Sequence, residues 1–145
     1  MFTGIVSELG TVASATPVGG GATFTIAAPQ TCSGLAVGDS IAVNGVCLTA
    51  VGVGDGTFTV EAVSETLQRT NLGDLRDGSV VDLERPVAAA GGRFDGHVVQ
   101  GHVDGVGTIR SIETEGTSKR MRIIAPAALA RYLVEKGSVT VDGVS

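Results

Sequence analysis

Residues 40–51 read Ser40-Ile41-Ala42-Val43-Asn44-Gly45-Val46-Cys47-Leu48-Thr49-Ala50-Val51, and this stretch decides the fold. β-Branched residues alternate around Asn44-Gly45, the dipeptide that most readily supplies the positive φ angles of a tight turn. The pattern predicts two short strands joined by a turn or a bulge. Comparable runs, spaced as in β-sandwiches and barrels, recur at residues 4–13, 22–27, 57–62, 79–84, 97–103, 105–112, 120–124 and 138–141. The chain is therefore predicted to be all-β.

Two segments carry helix signals. Residues 126–137 begin at Pro126 and end at Gly137, with strong helix formers between them. A weaker signal covers residues 65–71 and is closed by Gly73. Both are predicted to be short helices that connect strands or cover the end of a barrel.

The composition excludes several classes of protein. The 145 residues are 43% hydrophobic and 17% charged, with a net charge of −5, which suits one good core and not a disordered chain. Ten basic residues against 15 acidic ones, with 3% aromatics, form neither a phosphate-binding face nor a set of stacking rings, so nucleic acid is not an expected partner. The N-terminus has no basic region before an apolar one, and no apolar run reaches ~18 residues, which predicts a soluble, cytoplasmic protein. Cys32 and Cys47 are expected to be free thiols, because such a core needs no disulfide.

The chain repeats itself. Residues 3–12 match residues 100–109 in glycine placement and apolar pattern at an offset of 97, and residues 24–29 match 121–126 at the same offset. Residues 40–47 then match 138–145 at an offset of 98. Self-similarity of this kind predicts two homologous all-β modules, with residues 1–97 as the first and 98–145 as the first half of the second. Because Ser145 corresponds to Cys47, about half of the second module is missing from this sequence; a protein mass larger by roughly 50 residues would supply it, whereas a mass matching 145 residues would leave half a second barrel.

Four blocks of sequence resemble motifs of the riboflavin synthase α-chain family. They are residues 1–6, 44–49, 65–73 and 96–105, in the family's order. The resemblance implies tandem six-stranded Greek-key barrels, the second incomplete in this chain, in a homotrimer that needs no cofactor or metal. It also implies the last step of riboflavin biosynthesis. In that reaction, two molecules of 6,7-dimethyl-8-ribityllumazine exchange a four-carbon unit to give riboflavin and 5-amino-6-(ribitylamino)uracil, at a site between the first barrel of one subunit and the second barrel of its neighbour.

The resemblance also implies which residues form the site. The residues expected to bind substrate are Phe2, Gly4, Ile5, Val6, Cys47, Leu48, Thr49, Glu61, Ala62, Val63, Ser64, Glu65, Thr66, Gly101, His102, Val103, Lys136 and Ser145. The residues expected to take part in catalysis are Cys47, His102, Ser40, Ser145 and His97.

These side chains also have ordinary structural interpretations. Cys47 is a candidate nucleophile if its thiol ionises, or else a small buried hydrophobic residue. Its counterpart Ser145 is a poorer nucleophile, which suggests that one module holds the donor lumazine and the other the acceptor. His97 and His102 can both move protons near neutral pH, but on a regular strand they face opposite ways unless Gly101 permits a bulge. We expect His102 to be the functional one, and no metal site, because the nearby His, Cys and Asp residues lack ligand spacing.

Two other hypotheses stay open. A lumazine- or flavin-binding protein without catalytic activity could share this fold, although the presence of Cys47, Ser40, His102 and Lys136 together favours an enzyme. Alternatively, a chain of 145 residues is a folded first barrel with a frayed tail, which binds ligand but does not react.

Overall fold

The computed structural model describes residues 1–88 and 90–145. It contains two compact units, one formed by Met1–Val103 with Ser138–Ser145 and the other by Asp104–Gly137. The first unit holds strands β1 (Glu8–Val18), β2 (Gly21–Ala27), β3 (Ser40–Val43), β4 (Val46–Gly54), β5 (Thr57–Ala62) and β6 (Val80–Glu84) and helices α1 (Pro29–Cys32) and α2 (Ser64–Arg69), followed by a 3-10 helix at Asn71–Asp74. The second holds β7 (Thr108–Glu115), β8 (Ser118–Ile124) and a 3-10 helix at Ala127–Tyr132.

Strands β1 to β6 close into an antiparallel barrel with the order β1-β2-β5-β4-β3-β6. Strands β3, β4 and β5 follow one another through short turns, and β6 returns to lie beside β3, which is the Greek-key arrangement. Closure leaves none of these six strands with an unpaired edge. The predicted all-β class and six-stranded Greek-key barrel are confirmed.

The Asn44-Gly45 turn forms as the sequence predicts. Asn44 has φ +48° and Gly45 has φ +76°, so both residues lie in the left-handed region that a two-residue hairpin turn requires. The turn brings Val43 opposite Val46 and Ala42 opposite Cys47. The alternation of residues 40–51 therefore places Ile41, Val43 and Leu48 in the core.

The barrel interior is filled by its own side chains. Aliphatic residues and two phenylalanines, Phe24 and Phe58, pack into one continuous cluster. A smaller cluster outside it contains Phe2, Ala42 and Val99, with Cys47 against it. A ligand of the barrel must therefore bind at its rim or outer face.

The second unit is a hairpin that reproduces the geometry of β1 and β2. In the first hairpin Thr11 lies opposite Ala27, and a bulge falls between Val12 and Ser14. In the second, Thr108 lies opposite Ile124, and a bulge falls between Ile109 and Ser111. Each position in the second hairpin is 97 residues after its equivalent in the first.

Several predicted elements have other bounds or another form. Strand β1 begins at Glu8 and not at residue 4, since Gly4 has φ +77° and interrupts extended backbone there. Residues 97–103 contain an isolated bridge from Val99 to Phe2, and residues 138–141 end in an isolated bridge between Val141 and Val144. Over residues 126–137 the structure has only the 3-10 helix, because backbone beyond Tyr132 turns extended at Leu133.

Candidate functional site

Two tight turns pack back to back in the first unit. The Asp142-Gly143 turn has the same left-handed angles as Asn44-Gly45, with φ +49° and +88°. A Cβ atom on Gly45 would lie 2.6 Å from the Gly143 nitrogen, and one on Gly143 would lie 2.8 Å from the Gly45 nitrogen. Only glycine allows the two backbones to come this close.

Reciprocal backbone hydrogen bonds surround this contact. The Cys47 amide donates to the Gly101 carbonyl at 2.9 Å, and the Ser145 amide donates to the Gly4 carbonyl at 2.8 Å. Phe2 and Val99 exchange two hydrogen bonds, of 2.7 and 3.0 Å. We call this region the seam; it comprises Phe2, Gly4, Asn44, Gly45, Cys47, Val99, Gly101, Asp142, Gly143 and Ser145.

The seam brings together residues that the sequence predicts for one site. Of the predicted residues 4–6, Gly4 contacts Ser145. Of the predicted residues 101–103, Gly101 contacts Cys47. A Cβ on Gly4 would lie 2.6 Å from the Ser145 Cβ, and a Cβ on Gly101 would lie 2.6 Å from the Cys47 Cβ. Cys47 and Ser145, both predicted to take part in catalysis, therefore each lie against a glycine from a distant part of the chain.

His97 connects Ser145 to Thr140. Its Nδ1 lies 2.6 Å from the Ser145 Oγ, and its Nε2 lies 3.2 Å from the Thr140 Oγ1. An imidazole within hydrogen-bond distance of a hydroxyl can take or return that hydroxyl's proton, and the second hydrogen bond holds the ring in orientation. Sequence analysis lists His97 and Ser145 among the catalytic candidates but prefers His102 as the functional histidine, and it does not include Thr140, whose partner is 43 positions away.

The surroundings of Cys47 differ from those of Ser145. Cys47 is half-buried beside the smaller apolar cluster, and its thiol is free. His102 follows Gly101 and is exposed, while Val103 is half-buried against the barrel core. Cys47 and its repeat equivalent Ser145 therefore have matching backbone contacts but different side-chain environments.

The other predicted site residues fall into three places. Ser40 is half-buried on β3 opposite the exposed Thr49, whereas Leu48 lies in the core. Ile5 is exposed and Val6 is half-buried. Lys136 belongs to the second unit, where it is exposed and has φ +58°.

The segment from Glu61 to Thr66 forms the end of β5 and the start of α2. Its exposed members are Glu61, Val63, Ser64 and Glu65, while Ala62 is buried and Thr66 is half-buried. Glu61, Ala62, Val63 and Ser64 line a groove of about 200 Å³ against the turn between β1 and β2. None of the residues that line this groove belongs to the seam.

Burial and nearby carboxylates raise the pKa of two groups outside the predicted catalytic set, Cys32 and Asp82. Burial and the nearby Glu8 carboxylate raise the pKa of Cys32, so this thiol is a poor nucleophile. Burial, together with the charge of Asp142, raises the pKa of Asp82. The Asp142 carboxylate also accepts a hydrogen bond from the Asn71 amide at 2.9 Å.

The structure also reveals a buried carboxylate that sequence analysis did not single out. Glu84 ends β6 and accepts hydrogen bonds from Thr3 and Gly4, beside the seam. Glu84 and Thr3 are among the residues that line a cavity of about 480 Å³, together with Gln30, Thr31 and Arg85. No motif marks Glu84, because its partners lie 80 or more positions away.

The described residues contain neither a cluster of metal-ligating side chains nor a helix that could span a membrane. Across residues 1–88 and 90–145, no group of three or more His, Cys, Asp or Glu side chains could hold a metal ion. In the same residues, no helix is both long and apolar enough to span a bilayer.

The fold places the chain in a known structural class. The crystal structure of LumP complexed with riboflavin matches with a TM-score of 0.89 at 23% identity, covering 99% of this chain and 78% of that one. The structure of LumP complexed with 6,7-dimethyl-8-(1'-D-ribityl) lumazine matches with a TM-score of 0.85, also at 23% identity, over 99% of this chain and 77% of that one. At this identity the likeness defines the fold alone. The sequence profile of the lumazine binding domain matches residues 3–86 and 100–145, so the chain is a lumazine-binding-domain protein.

Closer relatives define the family within that class. Riboflavin synthase of Mycobacterium bovis is 53% identical over 146 residues, covering 100% of this chain and 72% of the relative. Riboflavin synthase of Bacillus subtilis is 46% identical over 145 residues, covering 100% of this chain and 67% of the relative. The chain belongs to the riboflavin synthase family.

Proposed function

We propose that this protein is a riboflavin synthase. It takes two molecules of 6,7-dimethyl-8-ribityllumazine and transfers a four-carbon unit from one to the other, giving riboflavin and 5-amino-6-(ribitylamino)uracil. The observation that carries the proposal is 53% identity to a riboflavin synthase along the whole of this chain. The proposal includes no cofactor and no metal, since proton transfer and orientation are the tasks left to the protein.

A duplicated architecture supports a reaction between two identical molecules. We infer that residues 1–97 are one lumazine-binding module and residues 98–145 the first half of a second. The common register and bulge of the β1–β2 and β7–β8 hairpins, at an offset of 97, support this division. The reciprocal hydrogen bonds of the seam, Cys47 to Gly101 and Ser145 to Gly4, support it independently.

Cys47 and Ser145 of the seam, together with His97, His102 and Ser40 outside it, supply the kinds of group that the reaction needs. One lumazine must lose a proton from its 7-methyl group, and the other must be held as an electrophile. We assign the Ser145 hydroxyl with the His97 imidazole to one lumazine, and Cys47 with His102 and Ser40 to the other. The different partners of Ser145 and Cys47 support distinct donor and acceptor roles.

The remaining predicted residues bind the substrate. In this proposal Glu61 and Ser64 hold ribityl hydroxyls along the groove at the end of β5, and Thr66 holds one from α2. Lys136 holds a ribityl hydroxyl or a pyrimidine carbonyl. The exposure of Glu61 and Ser64 supports this role, because a filled barrel can offer hydrogen bonds only at its rim. Phe2 is buried, which supports a role in maintaining the packing of the seam.

We also propose that the protein acts in the cytoplasm as a homotrimer, with each site shared between subunits. Exposed apolar side chains such as Ile5, Val63 and Val98 support an association of this kind. Analytical ultracentrifugation of the purified protein would show three chains per particle, and a monomer at micromolar concentration would contradict the proposal.

A second candidate function is binding of lumazine or flavin without catalysis. The shared fold with LumP favours it, since the structures of LumP are complexes with riboflavin, a lumazine or flavin mononucleotide. The 53% identity to a riboflavin synthase against 23% to LumP places the enzyme first.

The decisive experiment follows ligand binding and product formation in one sample. Purified protein is mixed with 6,7-dimethyl-8-ribityllumazine, binding is followed by the change in ligand fluorescence, and products are separated by chromatography. An enzyme forms one riboflavin for every two lumazines consumed. Saturable binding with no riboflavin formed would support the second function. If limited proteolysis then trims the chain to near residue 90, the lack of turnover would be explained by a folded first barrel that lacks an ordered second one.

The two cysteines provide a matched pair of variants. Replacing Cys47 with Ala is expected to lower turnover by about tenfold or more, since general acid–base and nucleophilic groups typically contribute at least that much. Cys32→Ala is expected to leave turnover unchanged, because Cys32 is outside the seam and its pKa is raised. Equal rates for both variants would remove Cys47 from the mechanism.

A further inference from the structure

Glu84 is a buried carboxylate that the proposed mechanism does not use. It ends β6 with 7% of its surface exposed. The ion pairs found among the described residues do not include it. A carboxylate removed from water without a cation is costly unless hydrogen bonds replace its hydration.

Three donors from one short segment supply that replacement. The Thr3 amide and the Thr3 hydroxyl donate to Oε1 at 2.6 and 2.7 Å, and the Gly4 amide donates to Oε2 at 3.0 Å. Both oxygens are therefore engaged, and hydrogen bonds to a charged acceptor are stronger than neutral ones. The Thr3 hydroxyl in turn accepts a hydrogen bond from the Ile5 amide at 3.2 Å, so the hydrogen-bond network extends to Ile5.

The segment held by Glu84 carries the backbone groups that hold the predicted catalytic side chains. The Thr3 carbonyl accepts from the His97 amide at 3.1 Å, and the Gly4 carbonyl accepts from the Ser145 amide at 2.8 Å. His97 and Ser145 then meet through their side chains at 2.6 Å. Each of the two catalytic residues is thus joined to Glu84 through one residue of the Thr3-Gly4 segment.

We propose that Glu84 is a positioning residue for the His97–Ser145 pair. Glu84 holds Thr3 and Gly4 through hydrogen bonds and so fixes the positions of their carbonyl groups. These carbonyls accept the backbone hydrogen bonds that orient His97 and Ser145. The side-chain hydrogen bonds of Glu84 in the described residues go to Thr3 and Gly4 and not to His97 or Ser145, so it acts through the backbone. The catalytic meaning of the inference rests on the proposed function; the geometric part does not.

The chemistry of the contact says which substitutions disturb it. In Glu84→Gln the side chain would keep one acceptor oxygen but turn an amide N–H₂ toward a backbone N–H, so two donors would face each other. Thr3→Val keeps the shape of the side chain but removes the hydroxyl donor, whereas Thr3→Ser keeps the donor. Glu113, an exposed carboxylate of the second unit paired with Arg122 at 3.7 Å, offers a control for the loss of one charge.

The test compares Glu84→Gln, Thr3→Val, Thr3→Ser and Glu113→Gln in the purified protein. The first readout is the NMR shift of the Gly4 and Ser145 amides and of the His97 ring protons. Glu84→Gln and Thr3→Val are expected to move all of these signals, Thr3→Ser to leave them close to wild type, and Glu113→Gln to leave them unmoved. Thr3→Val keeps the test decisive if Glu84→Gln fails to fold.

The second readout is steady-state kinetics with 6,7-dimethyl-8-ribityllumazine. Misplacement of a catalytic pair lowers kcat by between about 10- and 100-fold, with a smaller change in KM. Folded variants whose His97 and Ser145 signals and kcat all stay at wild-type values would overturn the inference. If the wild-type protein itself makes no riboflavin, the proposed function fails, while the NMR shifts still decide whether Glu84 positions the pair.

Discussion

The β1–β2 and β7–β8 hairpins have the same register and the same bulge but very different burial. Ile26 on β2 is 0% exposed, and Ile123, its equivalent at an offset of 97, is 38% exposed. Phe24 is buried in the barrel core, whereas its equivalent Met121 is exposed. Local geometry is therefore shared, and burial is not.

The difference comes from the neighbouring strands. In the barrel, β2 also pairs with β5, and β1 also pairs with β6, so one face of the hairpin is enclosed. Among the described residues, β7 and β8 form a sheet of two strands. The two hairpins share alternating sequence and a bulge, but a hairpin is enclosed in a core where further strands pair with both of its edges.

The largest test of this comparison substitutes the same residue in both hairpins. Ile26→Ala is expected to lower the free energy of unfolding by about 2–5 kcal/mol, because it leaves a cavity in a closed core. Ile123→Ala is expected to cost less than about 1 kcal/mol, since water already reaches that side chain. Urea unfolding followed by circular dichroism measures both.

A milder variant keeps that test usable if Ile26→Ala does not fold. Ile26→Val should cost about 0.5–1.5 kcal/mol, still more than Ile123→Val. Equal losses at positions 26 and 123 would mean that the second hairpin is as enclosed in solution as the first.

A smaller effect is expected from adding a methyl group beneath these isoleucines. A Cβ on Gly10 would lie 2.6 Å from the Leu83 Cδ1 and 2.9 Å from the Ile26 Cγ2, both in the core. Gly10→Ala should therefore cost about 1–3 kcal/mol through overpacking. At the equivalent Gly107 the nearest atom is the Ile123 Cγ2, at 2.8 Å, and this exposed side chain can turn aside. Thermal unfolding of Gly107→Ala should show a shift well below that of Gly10→Ala, and the reverse order would contradict the comparison.

The smallest effect concerns a contact that only the first hairpin has. The Glu8 carboxylate accepts hydrogen bonds from the amides of Thr31 and Gln30, at 2.6 and 3.2 Å, at the start of α1. Burial raises the pKa of Glu8, but the hydrogen bonds from Thr31 and Gln30 outweigh it and hold the pKa below its usual value. The equivalent position in the second hairpin is Gly105, which has no side chain to make this contact.

A lowered pKa gives stability that is present at neutral pH and lost as the pH falls through the folded-state value. Glu8→Gln is therefore expected to lose about 0.5–1 kcal/mol at pH 7, with the difference shrinking below about pH 4. Urea unfolding at several pH values checks this, with the exposed Glu135→Gln as the control. A loss that stays constant down to pH 3 would show that the charge of Glu8 does not matter.

Elements with strong alternation could be predicted from the sequence. The predicted runs at residues 22–27, 57–62 and 79–84 correspond to β2 (Gly21–Ala27), β5 (Thr57–Ala62) and β6 (Val80–Glu84). Residues 97–103 carry a similar pattern but contribute Val99 and Gly101 to the seam; Gly101 has φ +79°, and Val99 pairs with Phe2 through one isolated bridge. Contacts with distant residues determine the conformation of this segment. Alternation of apolar and polar residues along the sequence carries no information about such contacts.

The site was only partly visible in the sequence. Repeat matching relates Cys47 to Ser145 and Gly4 to Gly101. In the structure the hydrogen bonds cross between these two equivalences, from Cys47 to Gly101 and from Ser145 to Gly4. Thr140 and Glu84 carry no sequence signal, because their contacts with His97 and Thr3 connect distant parts of the chain. An acidic residue at the end of a strand looks like ordinary surface until the fold buries it.

The hydrogen bonds between Thr3 and Glu84 also have a consequence for folding during synthesis. Thr3 and Glu84 are 81 positions apart, and Phe2 bonds with Val99. A ribosome releases residues 2–4 well before the groups that hold them, which emerge after nearly the whole barrel. Docking of this opening segment is thus a late, long-range event, and Phe2 stays in contact with water or a chaperone until then.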